Sequence, residues 1–431
     1  MVLSLNIALG LVAALWAWSG IKGLLASRAM PTPVALGDLG ADELDGVFVS
    51  IIVAARDEIG RVEETIARAL AQEGVRFEVI AVDDRSTDGT GESLETLAGA
   101  SPSLHVKHIE ALPDGWLGKC HALHRGSEQA QGDWLLFLDA DTHLEPGAVA
   151  GAVAVALRER ADHVTMLPDV VRPTFWGQVA LGGFMGMMSD RAMKVNRDHP
   201  RLFMGIGAFN LVRADTYHGF GGHRRLRMQV LDDMVLGLCV RKIGGTTRAL
   251  DGLKSAQIEY GLDLPSVIRL FEKNGYAALN YSDPLLIAVS GVMLVVFGGA
   301  LLGPVMALTT GAWAGWVAFG ALAVSSAPAV RLSRRVGASL GAALLTPLGF
   351  PLIWFAFMRS VALTRRRGGI VWRETFYSLK DLTAARLSWR VGVSLPGMDV
   401  DARSEPSLRS DPASIPGAMI SAPAPPGRRG P

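Results

Sequence analysis

GDWLLFLDADTHLEPGAV, residues 132–149, carries an apolar run from Trp134 to Leu138 straight into two acids one residue apart, Asp139 and Asp141. An unbroken apolar run of this length reads as a strand buried on both faces. Side chains alternate along a strand, so the two carboxylates point the same way if the strand continues through Ala140. Two convergent carboxylates repel unless a cation lies between them. Oxygen-only ligands suit a hard divalent ion, Mg2+ or Mn2+, which would in turn bind a diphosphate. The plainer alternative is that Asp-x-Asp caps a strand and begins a turn.

Outward from this stretch, apolar runs alternate with amphipathic ones. VFVSIIVAA (47–55), FEVIAVDD (77–84), LHVKHI (104–109) and WLLFLDAD (134–141) read as strands. EIGRVEETIARALAQ (58–72), TGESLETLAGA (90–100) and KCHALHRGSEQAQ (119–131) have helical spacing. Strand–helix repetition of this kind predicts an α/β fold, a mostly parallel sheet covered by helices, with ligands at the carboxyl ends of strands. Acids gather at such ends: Asp83 and Asp84 after the second strand, Asp139 and Asp141 after the fourth. A third pair, Asp232 and Asp233, stands in VLDDMVLGLCVRKIGG (230–245). A turn into STDGT explains the first pair equally simply. A helix N-terminus, where the dipole favours acids, does the same for the last.

Of the 431 residues, 49% are hydrophobic and 19% charged, with a formal net charge of +1. Near-neutrality argues against nucleic-acid binding. Two cysteines far apart, Cys120 and Cys239, give neither a disulfide framework nor zinc spacing, consistent with a reduced cytoplasmic setting. Residues 3–25 are long and apolar enough to cross a membrane. With Lys22 and Arg28 following and no basic n-region, they read as a retained anchor rather than a cleaved signal, which puts the next domain in the cytoplasm. Residues 285–330 contain no charged residue, and a second uncharged stretch runs from Val336 to Met358, between basic clusters at 331–335 and 365–367. Pro347 and Pro351 break the second stretch, leaving a third span or a re-entrant hairpin. The organisation read from the sequence is an anchor (1–26), linker (27–46), catalytic domain (47–283), membrane segments (284–363), basic interfacial region (364–390) and Pro-rich disordered tail (391–431).

VSIIVAARDE (49–58), VIAVDDRSTDGT (79–90), LLFLDADTHLEPGAV (135–149), GIGAFNLVRADTYHGFGGH (205–223) and VLDDMVLGLCVRKIGG resemble, in order, the signature of family-2 glycosyltransferases with the GT-A fold. LPDGWLGKCHAL (112–123) further resembles an element of lipid-directed members, the hopene-associated and carotenoid glycosyltransferases and, more distantly, ceramide glucosyltransferases.

The resemblance implies a nucleotide-sugar donor, in the first instance a UDP-sugar, with Ala55, Glu58, Asp83, Asp84, Lys119 and Asp139 in its site. Asp57 stands where relatives often carry Asn, and no donor contact is carried over to it. Asp139 and Asp141 become ligands of Mg2+ or Mn2+. Lys119 approaches the base or diphosphate, with Gly115 and Gly118 permitting close passage of backbone. Asp233 becomes the general base of an inverting displacement onto a membrane-lipid acceptor, a hopanoid, carotenoid or other glycolipid precursor, with Asp232 as second choice. Processive polysaccharide synthases of the family carry Gln-x-x-Arg-Trp after the base. Here VIRLFEKNGYAAL (267–279) has no Trp, which disfavours that alternative, and Arg269 or Lys273 is left to supply positive charge on what is equally an interfacial helix. A non-catalytic sugar-nucleotide-binding scaffold is the alternative from another class, disfavoured by the complete set of acids. His121, His124, His143 and His223 lack metal-ligand spacing, although His223 is placed to face the acceptor.

Overall fold

The computed structural model describes residues 1–171, 173–258, 263–336 and 338–395. The Pro-rich tail lies outside the described residues from position 396 onward.

Among the described residues twelve strands form: β1 Phe48–Ala55, β2 Arg76–Asp84, β3 Leu104–Ile109, β4 Trp134–Asp139, β5 Thr142–Leu144, β6 His163–Leu167, β7 Asp169–Val170, β8 Asn210–Arg213, β9 Thr247–Asp251, β10 Ala256–Ile258, β11 Gly369–Trp372 and β12 Thr375–Ser378. Seven of them make one sheet in the order β3-β2-β1-β4-β8-β6-β9. β1 runs parallel to β2 and to β4, β2 parallel to β3, and β6 parallel to β9, whereas β8 is antiparallel to β4 and β6. The central strands are apolar on both faces because helices cover both: Ile51, Ile52, Val79, Ile80, Leu136 and Leu138 are all buried. At roughly 1.5–3 kcal/mol for each large aliphatic side chain buried, this core stabilises the sheet that the site stands on.

Register decides where the acids go. Ala55 pairs with Asp83 and Ala54 with Asp139, so the ends of β2 and β4 flank the end of β1 on one edge. The strand of the opening stretch stops at Asp139; Ala140 and Asp141 form a turn, and β5 joins a separate sheet with β10 and β7. Asp139 and Asp141 therefore share a turn rather than one strand face, which corrects the premise of a continuous strand.

Among the described residues four helical runs are long and apolar enough to cross a membrane: Val2–Leu25, Asp283–Thr310, Ala314–Ser333 and Leu340–Arg367. They pack as membrane helices do, through small residues and a few buried polar contacts. A Cβ at Gly303 would lie 2.4 Å from the Gly315 carbonyl oxygen. Trp16 meets Phe297 edge-on at 4.6 Å and donates from Nε1 to the Val296 carbonyl. In the last run, Pro347 falls in a 3-10 turn, Thr346–Leu348, between helices Leu340–Leu345 and Gly349–Arg367. Residues 369–384, expected as a basic interfacial region, fold as the β11–β12 hairpin and helix Leu379–Ala384. They return to the sheet domain: Leu382 and Tyr377 pack with Leu117, Cys120 and Met228.

Candidate active site

Helix Gly118–Ser127 opens beside the sheet edge and delivers Lys119 to the acids. Lys119 Nζ lies 2.6 Å from Asp139 Oδ1 and 3.6 Å from Asp232 Oδ2. Burial pulls the lysine pKa down, but the charges of Asp139, Asp232 and Asp233 outweigh it and hold the amine well above its ordinary range. Helix Asp232–Lys242 starts at the third acidic pair. Asp233 Oδ2 accepts from the Gly207 N–H at 2.9 Å and Oδ1 from its neighbour Met234 N–H at 2.7 Å. Burial, then the adjacent Asp232 charge, raises the Asp233 carboxyl to about 6. Burial likewise raises Asp232, against the pull of Lys119. Lys119, Asp139, Asp232, Asp233, Gly207, Asn210 and His223 thus line one small cleft.

Glycine is needed where this cleft closes. A Cβ on Gly207 would sit 2.3 Å from Asp139 Oδ2, so the loop before β8 can press against the acids only as backbone. Gly118 does the same under Asp84, where a Cβ would meet Oδ2 at 2.5 Å. Gly115, in contrast, faces open space and serves its turn through a φ of +76°.

Asp84 is buried and held by Arg85 through Nε at 2.8 Å and Nη2 at 3.1 Å. Asp83 is buried and accepts from the Ser86 N–H, with His108 Nδ1 at 3.0 Å. These engagements leave less free carboxylate edge at the β2 tip than the sequence suggests. Asp57 pins the same loop, accepting from the Thr87 N–H at 2.8 Å. Glu58 pairs with Arg373 at the tip of the β11–β12 hairpin. His223 is no surface residue: it is buried, within 2.9 Å of the Tyr217 hydroxyl and 4.0 Å of Asp232, and burial brings its pKa down to about 3.

Asp141 has no lysine or arginine partner among the described ion pairs. Its carboxyl is raised to about 6 by burial, then by the charges of Asp139 and Glu58. A carboxylate disfavoured by two other acids is where an added cation gains most, so the donor set fits a hard divalent ion. Among the described residues no group of three or more His, Cys, Asp or Glu is arranged around a metal position. An ion at Asp139 and Asp141 would complete its shell with water and phosphate oxygens, as Mg2+ commonly does.

Several contributors escape sequence reading. Asn210 donates to the Asp233 carbonyl and accepts on Oδ1 from buried His163 Nε2 at 2.7 Å. Tyr377, 259 positions away, accepts the Gly118 N–H through its hydroxyl. Lys273 Nζ sits 3.5 Å from the Trp372 ring centroid. Only the charge of Lys273, already a candidate, was signalled in the sequence.

Residues 50–219 match the family model "Glycosyl transferase family 2". Among curated proteins, the poly-beta-1,6-N-acetyl-D-glucosamine synthase of Staphylococcus aureus is 31% identical over 111 residues, 26% of this chain and 25% of that protein. The undecaprenyl-phosphate 4-deoxy-4-formamido-L-arabinose transferase of Shewanella sediminis is 32% identical over 112 residues, 25% of this chain and 33% of that one. The chain thus spans a quarter to a third of the length of these relatives. Among solved structures, the mannosyltransferase PcManGT of Pyrobaculum calidifontis, in complex with GDP-Man and Mn2+, aligns with a TM-score of 0.49 at 18% identity, over 85% of this chain and 99% of its own. Residues 50–219 are a glycosyl transferase family 2 domain, and they supply most of the seven-stranded, predominantly parallel sheet of this α/β fold.

Proposed function

We propose that the chain transfers a sugar, with inversion, from a nucleotide-sugar donor to a membrane-lipid acceptor, assisted by Mg2+ or Mn2+. The observation that carries this reading is the convergence of Asp139, Lys119, Asp232 and Asp233 in one cleft at the sheet edge of a family-2 domain. Four apolar helices long enough to cross a membrane favour a lipid acceptor. On this reading a UDP-sugar is the first donor to try, its nucleoside lying along Ala55, Glu58, Asp83 and Asp84.

Asp139 and Asp141 would hold the ion, whose charge offsets that of the departing diphosphate. Lys119 adds a second positive charge beside Asp139. Asp233, oriented by two backbone N–H groups, takes the proton of the acceptor hydroxyl as its oxygen attacks the anomeric carbon. That bond forms while the anomeric carbon–phosphate oxygen bond breaks, and the nucleoside diphosphate leaves with the electron pair. Asp232 faces Lys119 and buried His223, which suits it to fixing the lysine rather than to meeting the acceptor.

The test is incubation of membranes carrying the chain with a panel of labelled nucleotide sugars, followed by mass spectrometry of the lipid fraction. A labelled lipid dependent on Asp233 supports the proposal. Label appearing only in a water-soluble or cell-wall polymer favours the second reading, polysaccharide synthesis, which the Staphylococcus aureus relative makes worth testing.

A further inference from the structure

A second cavity, of about 250 Å³, is lined by Arg269, Glu272, Lys273, Leu363, Thr364, Arg367 and the first residues of β11. Its charges do not balance. Glu272, its one acid, is shared between Arg367 at 3.0 Å and Arg359 at 3.4 Å. Lys273 is half-buried, rests on the Trp372 ring, and has no carboxylate within ion-pair distance among the described residues. Arg269 bonds to the uncharged Ser266 hydroxyl. A lysine taken partly out of water without a counter-ion is costly unless an anion joins it.

Position suggests where that anion comes from. Leu363, Thr364 and Arg367 end the last apolar run, so if that run spans a bilayer they lie where it reaches the head groups. On the other side Lys273 lies within the field of Lys119, Asp232, Asp139 and Asp233. The start of β11 lines the cavity, and the hairpin tip Arg373 is turned to Glu58 on the donor side.

We propose that this cavity holds the phosphate of an anionic lipid head group, gripped by Arg269, Lys273 and Arg367, and so presents the acceptor to the acids from the membrane side. The space, about 250 Å³, is ample for a phosphate group. The inference rests on the lipid-acceptor reading and narrows it to lipids bearing phosphate. Phosphate also arrives as the donor's diphosphate, and the experiment separates the two sources.

The full chain in neutral-lipid nanodiscs is titrated with short-chain phosphatidic acid, with diacylglycerol of the same chains, and with UDP plus Mn2+, each read by thermal stabilisation. Phosphatidic acid should stabilise the protein and diacylglycerol should not. Lys273→Gln and Arg269→Gln should each weaken the phosphatidic-acid response at least tenfold, while Lys273→Arg largely restores it and the UDP response stays within about threefold. Equal responses to phosphatidic acid and diacylglycerol would overturn the proposal, as would variants that lose UDP and keep phosphatidic acid. Binding is read without turnover, so failure of the transfer reaction leaves this result standing on its own.

Discussion

Replacing Asp233 by Asn is a sharper perturbation here than its small change in size implies. Both carboxylate oxygens accept backbone N–H groups, from Gly207 and from Met234. An amide has one acceptor and one donor end, so in either orientation one N–H of the chain faces an N–H of the side chain. Leaving a buried donor unmatched costs about 1–3 kcal/mol, which should appear as lower thermal stability. Loss of the base adds a fall in turnover of roughly 10²–10⁴-fold. Because burial and Asp232 raise the Asp233 carboxyl to about 6, wild-type kcat/KM should be level above that pH and fall about tenfold per unit below it. In the variant any acid limb that remains belongs to Asp141, which is also raised to about 6, while donor affinity stays near wild type. The assay is initial-rate transfer from labelled donor across pH 5–8, with donor binding measured alongside. A variant within tenfold of wild type would refute the base assignment. Lost donor binding in a folded variant would move Asp233 into the donor site, and a larger loss in Asp232→Asn would reverse the order of the pair.

Gly207→Ala places a methyl 2.3 Å from Asp139 Oδ2, so either the loop or the acid must shift. We expect a loss of transfer of at least a hundredfold, the scale of misplacing reacting groups by about 1 Å, and near-normal activity would show that the loop is not pressed on Asp139. His163 and His223 are buried and held at about 4 and about 3, below the ordinary value of 6.5. A depressed pKa contributes stability that is complete above 6.5 and is lost as pH falls toward the folded value, at about 1.4 kcal/mol per pH unit for each histidine. Denaturant midpoints of the solubilised chain should fall from pH 6.5 to 5, less steeply in His163→Gln; equal slopes in the two proteins would contradict this.

What the sequence made legible follows from physics that acts locally. β3 was readable to the residue because turn residues bound it on both sides, and β4 in its start and apolar run because both its faces are buried, though its end at Asp139 was not. The acids at strand ends were visible because a carboxylate directly after an apolar run has few cheap explanations. The hairpin of residues 369–378 was hidden for the opposite reason. Its turn residues Arg373 and Glu374 both adopt positive φ without the Asn-Gly or Asp-Gly that announces such a turn. Its contacts, to Glu58 and Gly118, cross more than 250 positions of chain. The chain from His163 through Asn210 to Asp233 likewise depends on β8 entering the sheet antiparallel, which no local period encodes.

The claim that Asp139 and Asp141 form a cation-dependent donor site is tested most directly by donor binding in the presence and absence of metal. Purified chain is titrated with UDP-sugar by calorimetry, first in excess chelator and then with Mn2+ or Mg2+, for wild type and for Asp141→Asn. Binding that requires the ion in wild type, and falls at least tenfold in the variant at equal ion concentration, is the predicted result. Donor binding of equal strength in chelator, or unchanged in Asp141→Asn, would contradict it.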